Sequence, residues 1–295
     1  MAEVIDGKKI AADIRTEVKR DVEQLKAQGI TPGLSVVLVG ENPASGVYVR
    51  MKARACEETG IKSEVIRLSE ETTQAELEAV IDRLNGDKSV HGILVQLPLP
   101  GQIVERDIIM RIAPEKDVDG FHPVNVGRMM IGDPAAFRPA TPAGVVEMLM
   151  RTGNDPSGKR VAIVGRSNIV GKPLAVMLGQ KMKGGNATVT LAHSRTPDLP
   201  AVLREADILV AAIGVPEFVK ADAVKPGAVV IDVGVNRVDD SSAEKGYRLV
   251  GDVAYDEVFE VASAITPVPG GVGPMTIAML LTNCIQAARE ITGVS

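Results

Sequence analysis

The sequence predicts an α/β protein of two domains, each built on a mainly parallel sheet. Three observations carry that expectation. Short β-branched runs alternate with amphipathic segments of helix length, the alternation restarts after a stretch rich in Pro and Gly, and 295 residues exceed what one hydrophobic core usually organises.

The first series opens with Ile10, Ile14, Val18, Val22 and Leu25 at helical spacing over 8–28, stopped by Gly29 and Pro32. Leu34 to Val39 is a continuous β-branched run, the pattern of a parallel strand covered on both faces. A helix over 44–59 closed by Gly60, a strand over 64–68, a helix over 74–84 and a strand over 92–96 complete this series. After a loop over 132–142, a bridging helix over 143–151 leads into the second series. Its strands fall at 160–164, 188–192, 208–212 and 228–233, and its helices at 170–182 and 199–204. A long helix over 275–291 comes last.

Composition narrows the function. Aromatic residues make up 2% of the chain and Trp is absent, which argues against stacking on single-stranded bases. A net charge of −5 gives a nucleic-acid backbone nothing to bind, although a small anion answers to local charge alone. Cys56 and Cys284 are far apart, and His91, His122 and His193 are scattered, so neither a disulfide framework nor a metal site is expected. The first residues lack the apolar core of a signal peptide, and no apolar run approaches the roughly 18 residues that span a bilayer. A cytoplasmic protein without membrane or nucleic-acid partners is expected.

The strand over 160–164 runs into Gly165-Arg166-Ser167-Asn-Ile-Val-Gly171-Lys-Pro173 and then a helix. Such a junction turns unpaired backbone N–H groups and a positive helix end toward a phosphate. Ser167 replaces the second Gly of the usual dinucleotide fingerprint, and on spacing alone a plain strand–helix turn explains the loop as well. The next strand ends Leu191-Ala-His-Ser194-Arg195, without the carboxylate that would accept a ribose 2′-OH. Arg166, Ser194 and Arg195 instead suit a 2′-phosphate, which points to NADP in a Rossmann-like domain. Gly214 and Val235 fall at the ends of later strands, where backbone can pack along the ribose and nicotinamide.

In the first half, Tyr48 and Lys52 share one helix face at i, i+4. A desolvated amine beside a phenol suits acid–base chemistry, while the same spacing also describes a solvated lysine beside a packing tyrosine. Gln96 closes a strand and precedes Leu97-Pro-Leu-Pro100, at the strand end where α/β proteins place ligands. Asp119 lies in Asp117-Val-Asp-Gly-Phe121, readable as an Asp–Gly turn or as an acceptor of paired N–H bonds from an aminopyrimidinone ring.

Together these pieces resemble the bifunctional methylenetetrahydrofolate dehydrogenase/cyclohydrolase family. The resemblance rests on 43–52 (PASGVYVRMK), 92–100 (GILVQLPLP), 116–121 (KDVDGF), 165–173 (GRSNIVGKP) and 267–276 (PVPGGVGPMT), in the family's order over nearly the whole chain. It implies that Lys52 is the central acid–base residue, with Tyr48 beside it and Gln96 holding its protonation state. It further implies that Asp119 binds the pterin, that Ser45 and Leu97 line the pocket, and that Pro267, Gly270 and Gly271 help wall it. The implied reaction is NADP-dependent oxidation of 5,10-methylenetetrahydrofolate, then hydrolysis to 10-formyltetrahydrofolate, in the one-carbon metabolism behind purine biosynthesis. The implied architecture is a folate-binding catalytic domain (1–141 plus 275–295) and an NADP-binding domain (142–274) flanking a cleft. The last helix returns to the first domain, and two copies form a homodimer. One departure is visible: Ala140 stands where the family commonly has Cys before Thr-Pro, so no thiol chemistry belongs there. A monofunctional dehydrogenase, or a sensor that binds NADP(H) without chemistry, are the competing readings.

Overall fold

A computed structural model of the chain describes residues 1–243 and 246–294. In chain order its first elements are β1 (Glu3–Val4), α1 (Gly7–Ala27), β2 (Gly33–Val39), α2 (Pro43–Thr59), β3 (Lys62–Leu68), α3 (Gln74–Gly86) and β4 (Gly92–Val95). Two short helices, α4 (Glu105–Arg111) and α5 (Pro123–Met130), flank a 3-10 turn at Pro114–Lys116, and α6 (Ala140–Arg151) follows. Then come β5 (Arg160–Val164), α7 (Gly171–Gly179), β6 (Thr188–Ala192), α8 (Leu199–Arg204), β7 (Ile208–Ala211) and β8 (Val229–Asp232). The last elements are β9 (Asn236–Asp239), β10 (Tyr247–Val250), α9 (Tyr255–Val261), β11 (Ala264–Ile265) and α10 (Val272–Thr292).

The chain divides into two compact units. One holds Ala12–Ala140 with Ile277–Ser295, the other Met1–Ala11 with Thr141–Thr276. In the first, β2 is the centre of a parallel three-stranded sheet, order β3-β2-β4. All seven β2 residues and all four of β4 are buried, as expected of strands covered on both faces. The predicted stripe of α1 from Ile14 to Leu25 is buried, and Leu77, Ile81 and Leu84 of α3 pack against Val37, Ile93 and Val95.

In the second unit, six parallel strands run in the order β1-β11-β8-β7-β5-β6. The antiparallel pair β9–β10 stands apart from that sheet. Here the division differs from a boundary drawn at 1–141. β1 hydrogen-bonds to β11, so the first eleven residues belong with the six-stranded sheet. Two-residue strands carry no periodic signal, which is why neither was expected.

Two helices begin three residues earlier than their spacing predicts. α6 starts at Ala140 rather than Ala143, and α10 at Val272 rather than Met275. Pro142 and Pro274 sit inside those first turns, where a helix leaves its N–H groups unpaired and a proline costs nothing. Among the described residues, no helix is long and apolar enough to cross a membrane, and no cluster of His, Cys, Asp and Glu could hold a metal.

Candidate active site

Four of the predicted residues converge in the first unit. α2 carries Tyr48 and Lys52 one turn apart, yet their surroundings differ: Tyr48 is 45% exposed, whereas Lys52 is buried. The Lys52 Nζ donates to Gln96 Oε1 at 3.0 Å. Gln96 follows the last residue of β4, and its own Nε2 donates to the Leu97 carbonyl at 2.8 Å. That second bond commits the amide nitrogen, so the oxygen is the atom turned toward the lysine. Ser45 Oγ donates to the same Leu97 carbonyl at 3.5 Å, bringing Ser45 and Leu97 to the group as well.

Asp119 reaches this place through the segment after the 3-10 turn. A parallel bridge pairs Asp117 with Ile93, laying the segment along β4. The Asp117 carboxylate is buried and accepts from Phe121 N at 3.3 Å, His122 N at 2.8 Å and Asn125 Nδ2 at 2.9 Å. Lys116, also buried, donates to the carbonyls of Leu84, Asn85 and Asp87 at 3.0, 2.8 and 2.8 Å. These two side chains fasten both flanks of the turn that presents Asp119. Neither role was expected, because a buried charge that binds backbone looks in sequence like any solvated one.

Burial shifts both ionisable groups, Lys52 and Asp119, toward their neutral forms, and their mutual attraction opposes the shift. Burial lowers the Lys52 pKa below the usual lysine value, against the opposing pull of the Asp119 charge. Asp119 keeps some contact with solvent, yet burial pushes its carboxyl up to about 6. The Lys52 charge works against that rise, and Asp117 adds to it. Cys56, one turn beyond Lys52, is buried and pushed up to about 12, so its thiol stays protonated.

In the second unit, the Gly165 loop has the tight geometry a phosphate cradle needs. Gly165 adopts φ +132°, and a Cβ there would strike the Ala212 carbonyl oxygen. A Cβ on Gly171 would strike the carbonyl of Gly165. Ser167 organises the loop itself: its Oγ accepts from Val170 N at 3.1 Å and Gly171 N at 3.4 Å. Arg166, Ser194 and Arg195 are exposed at the ends of the neighbouring strands β5 and β6, without an acidic residue at the end of β6. These residues fit a dinucleotide carrying a 2′-phosphate. Gly214, at φ +73°, and half-exposed Val235 follow β7 and β8.

Pro267, Gly270 and Gly271 lie together in a turn after β11, also in this unit. Gly271 N donates to the Pro267 carbonyl at 2.8 Å and Gly270 has φ +112°. The turn presses against the start of α1, where a Cβ on Gly7 would strike the Gly271 oxygen.

A pair of buried carboxylates in the second unit went unread in the sequence. Asp232 closes β8 and Asp252 follows β10, both buried, and burial raises Asp232 to about 6. Their only local sign is an Asp near a Gly, indistinguishable from a turn.

Comparisons with known proteins find two successive domains of one family, drawn along the chain without the crossings between units after Ala11 and Thr276. Residues 5–119 match the family model described as tetrahydrofolate dehydrogenase/cyclohydrolase, catalytic domain, and 139–292 match the NAD(P)-binding domain of the same family. The chain is 57% identical over 290 residues to bifunctional protein FolD 1 of Myxococcus xanthus, covering 98% of this chain and 99% of that one. With bifunctional protein FolD of Moorella thermoacetica it shares 59% over 289 residues, again 98% and 99% of the two chains. The crystal structure of the Campylobacter jejuni bifunctional enzyme superposes with a TM-score of 0.92 at 49% identity, covering 98% and 99%. The Trypanosoma brucei dehydrogenase-cyclohydrolase, complexed with NADP and an inhibitor, does so at 0.92 and 42%, covering 98% of each chain. Two family models along successive stretches, and relatives this similar over nearly their full length, make the chain a member of the tetrahydrofolate dehydrogenase/cyclohydrolase family.

Proposed function

We propose that this chain oxidises 5,10-methylenetetrahydrofolate with NADP⁺ and hydrolyses the methenyl product to 10-formyltetrahydrofolate. The observation that carries this reading is a buried lysine amine, held at 3.0 Å by Gln96 and facing the charge of Asp119, in a chain of this family. NADP⁺, when bound, supplies the hydride acceptor. The Gly165 loop holds its pyrophosphate against backbone N–H groups, and Arg166, Ser194 and Arg195 grip its 2′-phosphate. Gly214 and Val235 pack along its ribose and nicotinamide.

Toward the folate, Asp119 accepts paired N–H bonds from the pterin ring, and at neutral pH a carboxyl of pKa about 6 is mostly ionised and able to do so. Ser45, Tyr48 and Leu97 line the same pocket. In the hydrolytic step, water adds to the cationic methenyl carbon and Lys52 takes the proton it loses. As the carbonyl forms and the carbon–N5 bond opens, a proton passes to N5, so one proton is released overall. A permanently charged ammonium could not start that sequence. Gln96 keeps the amine aimed while it exchanges protons. The family likeness also supports a cytoplasmic homodimer joined through the NADP-binding units and serving purine biosynthesis.

The test is a coupled assay. Wild-type protein mixed with methylenetetrahydrofolate and NADP⁺ is expected to yield NADPH without lasting methenyl absorbance. Lys52→Met should still bind folate but hydrolyse methenyltetrahydrofolate at least about a hundredfold more slowly. Unchanged hydrolysis in that variant would refute the role of Lys52. Lasting methenyl absorbance from the wild type would reduce the chain to a dehydrogenase.

A further inference from the structure

The turns that carry the predicted cofactor contacts share one hidden fastening. Asp252 is fully buried. Its Oδ2 accepts from Ile213 N at 2.7 Å and Gly214 N at 2.9 Å, both in the turn after β7. Its Oδ1 accepts from Asn236 Nδ2 at 2.9 Å, next to Val235 in the turn after β8. Asp252 is itself located by Asp232, whose Oδ1 accepts from Asp252 N at 3.0 Å and Gly234 N at 2.9 Å. The other oxygen of Asp232 accepts from Val253 N at 2.9 Å.

The surrounding backbone is shaped to these carboxylates. A Cβ on Gly234 would land on the Asp252 carboxylate, and one on Gly251 on that of Asp232. The reach extends to the phosphate loop. In a trans peptide the carbonyl points opposite to the N–H, so turning Ile213 N–H toward Asp252 turns the Ala212 oxygen away from it. That oxygen is the atom a side chain at position 165 would strike. Among the described residues, neither aspartate forms an ion pair with Lys or Arg; backbone and amide N–H groups compensate both. Burying two carboxylates this way is costly, and a core that needed only stability would fill the space with apolar groups.

We propose that Asp252 is a positioning residue for the dinucleotide: one carboxylate sets the Gly165, Ile213–Gly214 and Val235–Asn236 turns in the arrangement that binds NADP. The inference rests on the bifunctional reading above and adds a residue to it. Since methenyl hydrolysis uses no nicotinamide, the two activities separate a cofactor role from a general loss of fold.

The experiment measures NADP⁺ affinity by titration calorimetry, beside hydrolysis of preformed methenyltetrahydrofolate, for three variants. Asp252→Ala should bind NADP⁺ at least about tenfold more weakly, while hydrolysis falls no more than about threefold. Asp252→Asn keeps one oxygen for the two backbone amides, and the Asn236 amide can turn over to match, so it should recover most of the affinity. Asn236→Ala removes one partner at the rim, carries the test if Asp252→Ala does not fold, and should weaken NADP⁺ about threefold with hydrolysis intact. Full NADP⁺ affinity in folded Asp252→Ala or in Asn236→Ala overturns the proposal, as does parallel loss of binding and hydrolysis. A wild type that neither binds NADP⁺ nor hydrolyses the methenyl compound would instead overturn the functional reading.

Discussion

Lys52 differs from the chain's exposed lysines because its stem runs inward and its amine ends beside Gln96 rather than in water. Removing that water penalises the ammonium, and the Asp119 charge is the largest influence working against that penalty. The signs follow from linkage. For Lys52, with its pKa lowered from 10.5, the cost of burying the ammonium is fully present below the folded pKa and fades as pH climbs toward 10.5. For Asp119, raised from 3.8 to about 6, the cost of burying the carboxylate is present above about 6 and fades as pH falls toward 3.8. Asp119→Asn removes the charge that holds the amine's pKa up. The titration midpoint of Lys52, followed by ¹³C NMR of its ε-carbon in free enzyme, should therefore move to lower pH. A midpoint that stays put or rises would mean the two groups do not interact. The family motifs singled out Lys52, Gln96 and Asp119, and a desolvated amine was among the readings of Lys52, whereas nothing in the sequence foretold the raised carboxyl of Asp119. The i, i+4 spacing that put Tyr48 and Lys52 on one face left open which of them the protein covers.

At the scale of elements, the two ends of α3 show what capping chemistry can and cannot be read locally. α3 opens with a capping box in which Thr73 and Glu76 exchange hydrogen bonds, and it was predicted from Gln74. Its other end is closed by a residue thirty positions away, Lys116, which gathers the carbonyls of Leu84, Asn85 and Asp87. Losing that cation removes a charged donor from all three carbonyls, although those of Leu84 and Asp87 keep the N–H groups of Asp87 and Val90. Lys116→Met should thus destabilise the protein by about 1–3 kcal/mol in urea unfolding, with an unchanged m-value. A loss under about 0.5 kcal/mol would show that water satisfies those carbonyls equally well. No local pattern announces such a cap, because its donor ends the 3-10 turn Pro114–Lys116 and arrives only when that turn packs.

The whole molecule is threaded so that neither unit is one continuous stretch: the chain passes between them after Ala11, Ala140 and Thr276. The first unit depends on its returning segment. From α10, Asn283 donates to the carbonyls of Val118 and Arg138 at 2.7 and 2.9 Å, and Cys284 packs where Gly92 leaves room. Residues 12–140 expressed alone should therefore lack a cooperative urea transition and dispersed amide signals, and adding a peptide of 272–294 should restore both. A fragment that folds without the peptide would show that α10 is dispensable to the unit. What the sequence determined by itself is the alternation of strands and helices, the phosphate loop, the folate-family motifs and hence the chemistry. Each of these is encoded in residues a few positions apart. The tertiary structure alone decided that β1 completes the six-stranded sheet, that Lys116 caps α3 and that Asp252 ties the turns on the cofactor side. Those depend on hydrogen bonds between residues distant in the chain, whose pairing exists only once the sheets have formed.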